Sequence, residues 1–498
     1  MFARNLIVLA CALLYGGLAS AAPKVQGWHT ENGAKVLFVE TRQLPMFDVR
    51  VVFDAGGARD GDAFGLAALT NELLSQGAGN WDADQLAERL DAVGARFGSG
   101  VNRDMAWLSV RALIEPKARD TAIETLAAML AEPRFGKAAF QRTLRHKLIA
   151  ERQKLQSAGK VASRAFYHAV YGDHPYAHDP EGVAATLEKL TPAQARAFHR
   201  RYYVGANALV VIAGALDRPR AEHIAERLVE RLPGGEPATP LPAVGPLVRI
   251  SHRPSTAAAQ SHALTGVRSV RMLDVVSATP ARPSVANASH AAPLNHLATN
   301  AGEKSGLAKR DLTRIVFPSS QTHLLIGQLG MKRGEPDYFP LYVGNHILGG
   351  GGLVSLLSEE VREKRGLAYG AYSYFAPLRQ TGPFIAGAST KNAQAREALR
   401  VMRDTIRTFI ENGPTDAQLK AAKQNLIGGF PRKIASNRKL SEYLAMMGFY
   451  DYPLDYLDTF ATIIGAVTRE RIHAAFKRRF DVDHFVTVEV GGKRKDGG

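Results

Sequence analysis

The first question is whether any histidines have the spacing that metal binding needs. Two histidines one helical turn apart, with a glutamate beside them, can hold zinc and activate its bound water. Neither H-x-x-E-H nor H-E-x-x-H occurs anywhere in the 498 residues. His174 and His178 are four residues apart, but Pro175 and Tyr176 between them indicate a polar loop, where helical geometry does not apply. A structural role is therefore favoured for these two histidines over metal binding.

The composition is that of an ordinary globular protein. The chain is 46% hydrophobic and 22% charged, and its 498 residues are long enough for about two to four domains. The formal net charge is +16, but Lys and Arg are scattered and no nucleic-acid-binding motif occurs. We interpret this charge as a solvated basic surface and expect no nucleic-acid partner.

The N-terminus has the pattern of a secretory signal peptide. Arg4 is followed by an apolar run at 6–18 and by the small residues Ala19-Ser20-Ala21, so we expect cleavage after Ala21 and a periplasmic protein. Cys11, the only cysteine, lies inside the apolar run, which leaves the mature chain without disulfides; lipoprotein processing there is the less favoured alternative. No later run reaches the roughly 20 apolar residues of a membrane helix, so no stable membrane span is expected.

Hydrophobic periodicity predicts two successive halves with the same α+β order. In the first half it predicts strands at 34–40, 48–55, 105–113 and 208–213, and helices at 64–74, 83–93, 119–130, 137–156 and from 191. In the second half it predicts strands at 323–327, 369–375, 382–389 and 485–490, and helices at 338–348, 353–362, 393–411 and 416–426.

The segment between the halves, residues 233–312, is rich in Ala, Pro, Ser, Thr and Asn and has the composition of a linker or low-complexity insertion. The predicted division is a signal peptide at 1–21, an N-terminal domain at 22–232, the insertion at 233–312, and a C-terminal domain at 313–498.

Several motifs in order resemble the pitrilysin and mitochondrial processing peptidase family, the inverzincins. These motifs are Asn32-Gly33, Gly65-Leu66-Ala67, YGDHPY at 171–176 and, most specifically, LGGGGLVSLLSEEVREKRGLAY at 348–369. The resemblance implies an α+β fold of two homologous domains joined by a linker. Each domain would be a mostly antiparallel sheet packed by helices, and the pair would form half of a clam-shell peptidase chamber.

The same resemblance indicates a degenerate zinc motif. The family's first histidine, its catalytic glutamate and its second histidine fall on Ala68, Asn71 and Glu72, and Glu151 roughly matches the distal glutamate ligand. Ala68 has no donor atom, and the Asn71 amide cannot accept a proton as a carboxylate can. We therefore expect no metal or other cofactor on this chain, with Glu72 and Glu151 as ordinary polar helix residues.

A second motif is retained. Arg362 and Tyr369 match an arginine–tyrosine pair that, in the family, reaches an opposing zinc centre and binds the substrate backbone and the oxyanion. Hydrogen-bond donors aimed at developing negative charge can contribute about 3–4 kcal/mol each. Gly366 is expected to end the helix and leave Tyr369 at the start of a strand. The alternatives are a solvated charge for Arg362 and a half-buried strand aromatic for Tyr369.

Two neighbouring features are weaker predictions. Tyr372 and Tyr374 could line the same surface as Tyr369. The run Gly349–Gly352 lacks the G-K-[ST] ending of a phosphate loop and suits either a flexible substrate-contacting loop or a tight turn between helices.

Together these features predict a non-catalytic, substrate-binding subunit of a heteromeric zinc metalloendopeptidase that acts on peptides in the periplasm. A homologous subunit would carry the zinc, and this chain would present Arg362 and Tyr369 to it. The alternative is a peptide-binding or structural protein of the same fold with no part in proteolysis. An independently active peptidase ranks third, because it would need a zinc site that we do not find in the sequence.

Overall fold

The computed structural model describes residues 24–245 and 312–492. The predicted signal peptide and most of the predicted insertion lie outside these ranges. Within the insertion, residues 233–245 contain no helix or strand, and Leu312 already belongs to a strand. Within the described ranges, none of the helices combines the length and the apolar character that crossing a bilayer requires.

The first half is built on a six-stranded sheet. The strands of this half are β1 (Gln26–His29), β2 (Lys35–Glu40), β3 (Met46–Phe53), β4 (Gly77–Ala78), β5 (Trp81–Asp82), β6 (Arg96–Val101), β7 (Ala106–Leu113) and β8 (Ala208–Gly214). The short strands β4 and β5 form a separate two-stranded ribbon. The spatial order is β1-β2-β8-β3-β7-β6, antiparallel except for the parallel pair β2 and β8. Every residue of β8 is buried, as its continuous apolar run requires.

Helices cover this sheet, and four of the eight begin at a side-chain cap. They are α1 (Leu66–Leu73), α2 (Ala83–Asp91), α3 (Pro116–Ala131), α4 (Lys137–Leu155), α5 (Ala158–Tyr171), α6 (Ala184–Leu187), α7 (Pro192–Tyr202) and α8 (Arg218–Val229). Asp82 and Thr191 each form a capping box, accepting a bond from the backbone N–H three residues on while the side chain there bonds back. Such caps satisfy N–H groups that the first helical turn leaves unpaired.

The second half repeats the design around a five-stranded sheet. Its strands are β9 (Leu312–Val316), β10 (Ser319–Met331), β11 (Ala368–Phe375), β12 (Gly382–Lys391) and β13 (Val486–Gly492). Its helices are α9 (Tyr338–Asn345), α10 (Ala395–Asn412), α11 (Asp416–Lys433), α12 (Asn437–Phe449), α13 (Tyr456–Gly465) and α14 (Arg469–Arg479). The order is β11-β12-β10-β13-β9, with only β13 and β9 parallel, so β11 is an edge strand. The predicted α+β class with mostly antiparallel sheets is confirmed.

The predicted helix at 353–362 is confirmed only in part, because residues 356–363 are helical but continue from an α-helical turn into a π-helical one, and residues 352–354 form a 3-10 turn. After α9 the chain makes a π-helical turn at His346–Gly350 and a 3-10 turn at Gly352–Val354, then a short helical turn and a second π-helical turn at Glu359–Glu363. Gly352 has φ +69°, in the left-handed region that interrupts a regular helix. The glycine run therefore separates α9 from the helical turns at 356–363 by a 3-10 turn.

The two halves exchange helices. Helix α5 of the first half packs on β10 and β13 of the second sheet, and Phe166 is completely buried there. In return, α12 of the second half packs on β2, β3 and β8 of the first sheet. At Gly448 of α12 an added Cβ would stand 2.7 Å from a Leu209 methyl, which shows how closely the helix approaches β8. Each sheet is thus covered on one face by a helix from the opposite half.

A buried carboxylate joins the halves at one point. Asp104, in the turn between β6 and β7, is 1% exposed and accepts hydrogen bonds from the hydroxyls of Tyr176 and Tyr450. Its second oxygen also accepts a bond of 2.9 Å from the backbone N–H of Arg379. Burial raises the pKa of both tyrosines, and the nearby Asp104 charge raises it further, so both hydroxyls remain donors.

We expect Asp104→Asn to lower the free energy of unfolding by about 3–5 kcal/mol, because the amide keeps only one acceptor oxygen and turns its N–H₂ group toward buried donors that the second carboxylate oxygen accepted from. Thermal and urea denaturation measure this loss. Asp62→Asn is the matched control, since Asp62 is exposed and has no ion pair within the described residues. Equal stability of the two variants would contradict the role given to Asp104.

Candidate functional site

The helix that aligns with the zinc motif, α1, is a regular helix held at its start. Gly65 precedes it with φ +94°, and Asp60 accepts backbone bonds of 2.7 Å from Gly65 and from Ala67. Positions 68 and 72 therefore lie one turn apart on the same face, as two metal-binding side chains would need. The backbone of α1 could therefore present two metal ligands, so the side chains at these positions decide whether a metal can bind.

Two of these side chains belong to the core. Ala68 is 4% exposed and Asn71 is 3% exposed. The Asn71 amide nitrogen donates to the Tyr203 hydroxyl at 3.2 Å and to the Trp107 carbonyl at 3.4 Å. Asn71 thus ties α1 to β7 and to the end of α7, and its N–H₂ group is already engaged.

A lysine ammonium lies beside the position of the second family histidine. Lys147 of α4 has a side chain only 8% exposed, and its Nζ is 3.4 Å from a Glu72 oxygen and 2.8 Å from a Glu181 oxygen. The cation at this site is therefore supplied by the protein itself. A divalent metal next to this ammonium would be strongly repelled.

Glu151 is buried and paired, which corrects the expectation that it is an ordinary polar helix residue. It is 4% exposed, and both of its oxygens accept bonds of 2.8 Å from the Arg164 guanidinium of α5. A bidentate arginine–carboxylate pair of this kind is strong and geometrically specific. The distal ligand position is therefore occupied by an internal ion pair.

The donor set does not fit a zinc ion. Structural and catalytic zinc sites need at least three nitrogen, sulfur or carboxylate ligands. Here the matching positions offer one side chain with no donor, one amide engaged as a donor, and two carboxylates paired with Lys147 and Arg164. Across residues 24–245 and 312–492, no group of three or more His, Cys, Asp or Glu side chains is arranged to hold a metal.

The two loop histidines have protein partners. His174 Nε2 lies 3.0 Å from the Pro242 carbonyl, and burial lowers the pKa of His174. His178 Nε2 lies 2.9 Å from the Gly57 carbonyl and 3.2 Å from Asp60. The structural role that the sequence favoured for these histidines is thus consistent with their contacts.

Arg362 and Tyr369 come together at the start of the edge strand. Arg362 lies in the π-helical turn Glu359–Glu363, Gly366 reverses the chain with φ +60°, and Tyr369 is the second residue of β11. The guanidinium carbon is 5.6 Å from the centre of the Tyr369 ring, within cation–π range. The predicted break at Gly366 and the predicted strand position of Tyr369 are confirmed.

The surroundings leave this pair accessible. Tyr369 is 90% exposed, an unusual state for a large aromatic residue. Arg362 is 3.1 Å from Glu363, whereas the nearby Lys364 and Arg365 pair with Glu359 and Glu360. The alternative of a half-buried aromatic for Tyr369 is wrong, and the Arg362 side chain is 31% exposed, less than the side chains of Glu363, Lys364 and Arg365.

The rest of β11 continues this exposed aromatic surface. Tyr372 and Tyr374 are 45% and 42% exposed, and their rings stack with centres 6.0 Å apart. On the opposite side of the strand, Ser373 and Asn345 hydrogen-bond at 2.7 Å, and an added Cβ on Gly349 would lie 2.3 Å from the Ser373 nitrogen. Close packing thus explains Gly349 in the glycine run.

Lys147 and Arg164 are the site residues that sequence reasoning missed. Lys147 precedes Glu151 by four residues, the spacing of a common intrahelical ion pair. The structure instead directs Lys147 to Glu72 on another helix and gives Glu151 to Arg164. The charges were visible in the sequence, but their partners depend on how α1, α4 and α5 pack.

Comparisons with known proteins find matches to both the sequence and the fold. The first half matches the family model described as insulinase (peptidase family M16) over residues 35–180, and the model described as the peptidase M16 inactive domain matches residues 189–270 and 287–426. The crystal structure of a peptidase M16 inactive domain from Pseudomonas fluorescens superposes with TM-score 0.79 at 35% identity, covering 94% of this chain and 98% of that one.

Relatives differ in how they are described. A non-peptidase homolog from Helicobacter pylori is 22% identical over 501 residues, 99% of each chain. An uncharacterized zinc protease of Streptomyces coelicolor is 24% identical over 366 residues, 73% of this chain and 67% of the relative.

Fold and site together define a two-domain peptidase scaffold whose zinc-motif positions do not fit a zinc ion. The chain belongs to the M16 peptidase family, as a non-catalytic member.

Proposed function

We propose that this chain is the substrate-binding subunit of a heteromeric zinc metalloendopeptidase that acts on peptides in the periplasm. A homologous subunit with an intact H-x-x-E-H motif supplies the zinc, and this chain supplies Arg362 and Tyr369. The observation that carries the proposal is Tyr369, 90% exposed beside the half-buried Arg362, on a chain whose own metal positions are filled by Ala68, Asn71 and two ion pairs. The location rests on the signal-peptide pattern at 1–21.

The roles of the two side chains follow from their chemistry. A guanidinium and a phenolic hydroxyl are both hydrogen-bond donors, suited to a peptide carbonyl and to the oxyanion formed when water attacks it. Arg362 stacks near the Tyr369 ring, which limits the freedom of both side chains before substrate arrives. Preorganised donors stabilise developing charge without reorganising during the reaction.

Extended peptides suit the open edge of the second sheet. Strand β11 has a neighbouring strand only on its β12 side within the described residues, which leaves an open edge except at Ser373, whose carbonyl accepts a bond of 3.2 Å from the Asn345 amide. A peptide added there as a strand would gain backbone hydrogen bonds, while the exposed tyrosines would contact its side chains.

The second function to consider is peptide binding, or a structural role, without any part in proteolysis. The description of the Helicobacter pylori relative as a non-peptidase homolog favours it. Retention of Arg362 beside an exposed Tyr369 favours the catalytic assembly, because a purely structural role gives no reason to leave Tyr369 90% exposed.

Reconstitution tests the proposal. We expect the purified chain to bind no stoichiometric zinc and to cleave no peptide, and we expect cleavage when a homologous H-x-x-E-H subunit from the same cell is added. Replacing the glutamate of that partner motif should abolish the activity of the mixture. Cleavage by the isolated chain would refute the proposal, and unchanged activity of the partner on mixing would favour the peptide-binding alternative.

A further inference from the structure

A large cavity opens in the second half, away from the degenerate metal site. It has a volume of about 1080 Å³, at the upper end of the range of about 300–1,000 Å³ typical of ligand pockets. One wall is the segment Tyr372–Phe375 of edge strand β11, and the other is formed by α9 and the ends of α11 and α12. The cavity therefore borders the strand edge on which the proposed function places a peptide.

The lining of this cavity is basic and aromatic. Arg333, Arg432, Lys433 and Lys439 all line it, and no Asp or Glu of the described ranges does so. A smaller adjoining cavity of about 290 Å³ includes Glu442, but this carboxylate is 3.4 Å from Arg50 and 3.2 Å from Arg438. The acid of the adjoining cavity is thus engaged with arginines outside the large cavity.

Neutral groups hold three of the four cations. The Lys433 ammonium donates to the Tyr342 hydroxyl at 3.0 Å, and the Lys439 ammonium donates to the Arg432 carbonyl at 3.0 Å. Arg333 donates to the Tyr338 hydroxyl at 3.3 Å, and its Nε is buried with no hydrogen-bond partner among residues 24–245 and 312–492. Hydroxyl and carbonyl acceptors orient these cations without neutralising them.

The end of a helix accounts for only part of this charge. Arg432 and Lys433 lie in the last turn of α11, where cations are favoured, but a helix C-terminus carries only about half a negative elementary charge. Lys439 lies in the first turn of α12, where a cation is electrostatically unfavourable. Four positive side chains therefore remain largely uncompensated around one cavity.

We propose that this cavity selects acidic peptides, binding the carboxylates of Asp and Glu side chains with Arg333, Arg432, Lys433 and Lys439. Three tyrosines of the helical wall share the lining and offer aromatic rings and hydroxyls to the neighbouring residues of such a peptide: Tyr338, Tyr342 and Tyr443. The inference deepens the proposed function by naming its substrate class, and it rests on that function for the choice of a peptide as ligand.

Binding to the isolated full-length chain tests the proposal. The probe is a short, unstructured, fluorescein-labelled peptide of Glu, Tyr and Gly, compared by anisotropy with the same peptide in which each Glu is replaced by Lys. We expect the acidic peptide to bind at least about tenfold more tightly, and we expect this preference to shrink as salt is raised.

Charge-removing variants locate the site. Lys433→Gln combined with Lys439→Gln should weaken binding of the acidic peptide by about tenfold. Both lysines are exposed, so the fold should be retained, and thermal denaturation verifies this. Lys420→Gln is the matched control, because Lys420 is an exposed lysine of α11 outside the cavity lining, and it should leave binding unchanged.

Three results would overturn the inference. They are equal affinity for the acidic and basic peptides, an equal loss of affinity in the Lys420→Gln control, and binding of inorganic triphosphate at this site without binding of the acidic peptide. Because no zinc-bearing partner is present, failure here is distinguishable from failure of the assembly to form.

Discussion

Replacing Arg362 with alanine is expected to lower the peptidase activity of the reconstituted assembly by roughly 10²–10³-fold, the loss typical of removing one donor from an oxyanion site. The reason is the position of Arg362, whose guanidinium lies 5.6 Å from the exposed Tyr369 ring at the start of an open strand. The measurement is steady-state cleavage of a peptide by the wild-type partner mixed with each variant. Loss in kcat indicates a role in the transition state, and a rise in KM alone indicates substrate binding.

The control for Arg362→Ala is Arg365→Ala. Arg365 has the same charge, lies three residues further along and pairs with Glu360 at 2.5 Å instead of approaching Tyr369. We expect Arg365→Ala to leave the activity of the assembly within a few-fold of wild type, as for a surface ion pair of small energetic weight. Wild-type turnover by Arg362→Ala would show that this arginine takes no part in the reaction.

The second large effect concerns the degenerate metal site. Ala68→His, Asn71→Glu and Glu72→His together restore H-x-x-E-H on α1, yet we expect this triple variant to bind zinc weakly. The Lys147 ammonium would stand beside the metal, and unit charges about 4 Å apart interact by about 4 kcal/mol at an effective dielectric constant near 20. Adding Lys147→Met and Arg164→Gln should tighten zinc binding by at least about 100-fold, because the repulsion is removed and Glu151 is released.

Competition with a chromogenic chelator measures this affinity. Lys154→Met in the triple variant is the matched control, because Lys154 lies two turns further along α4 and pairs with Asp179 at 3.3 Å. Removing that charge should change zinc affinity far less than removing Lys147. Tight zinc binding by the triple variant alone would show that the internal cations are no barrier to metal.

Much of the fold could be predicted because local patterns and tertiary structure agree. The predicted helix at 64–74 is α1 (Leu66–Leu73), and Thr191 caps the helix expected to begin beside it. The buried run at 208–213 is the central strand β8. The α+β order could therefore be predicted from periodicity, whereas the loss of zinc ligands at positions 68, 71 and 72 was implied by the resemblance to the inverzincin family.

Other features were beyond the sequence because they depend on long-range packing. Nothing in the sequence of α5 shows that it covers the second sheet, or that its Arg164 pairs with Glu151. The helical pattern at 353–362 was only partly reliable because its apolar spacing is real, while the glycine run before it shifts the chain into π and 3-10 turns. The basic cavity gathers residues more than 100 positions apart, from Arg333 to Tyr443.

The exchanged helices join the two halves by packing, in addition to the chain that connects them. Since α5 and α12 each complete the core of the opposite half, the union between halves is made by buried side chains and does not depend on the peptide that runs between them. The family match skips residues 271–286 inside that connecting stretch. The connecting stretch can therefore vary in length and sequence, because buried side-chain contacts between the two halves hold them together.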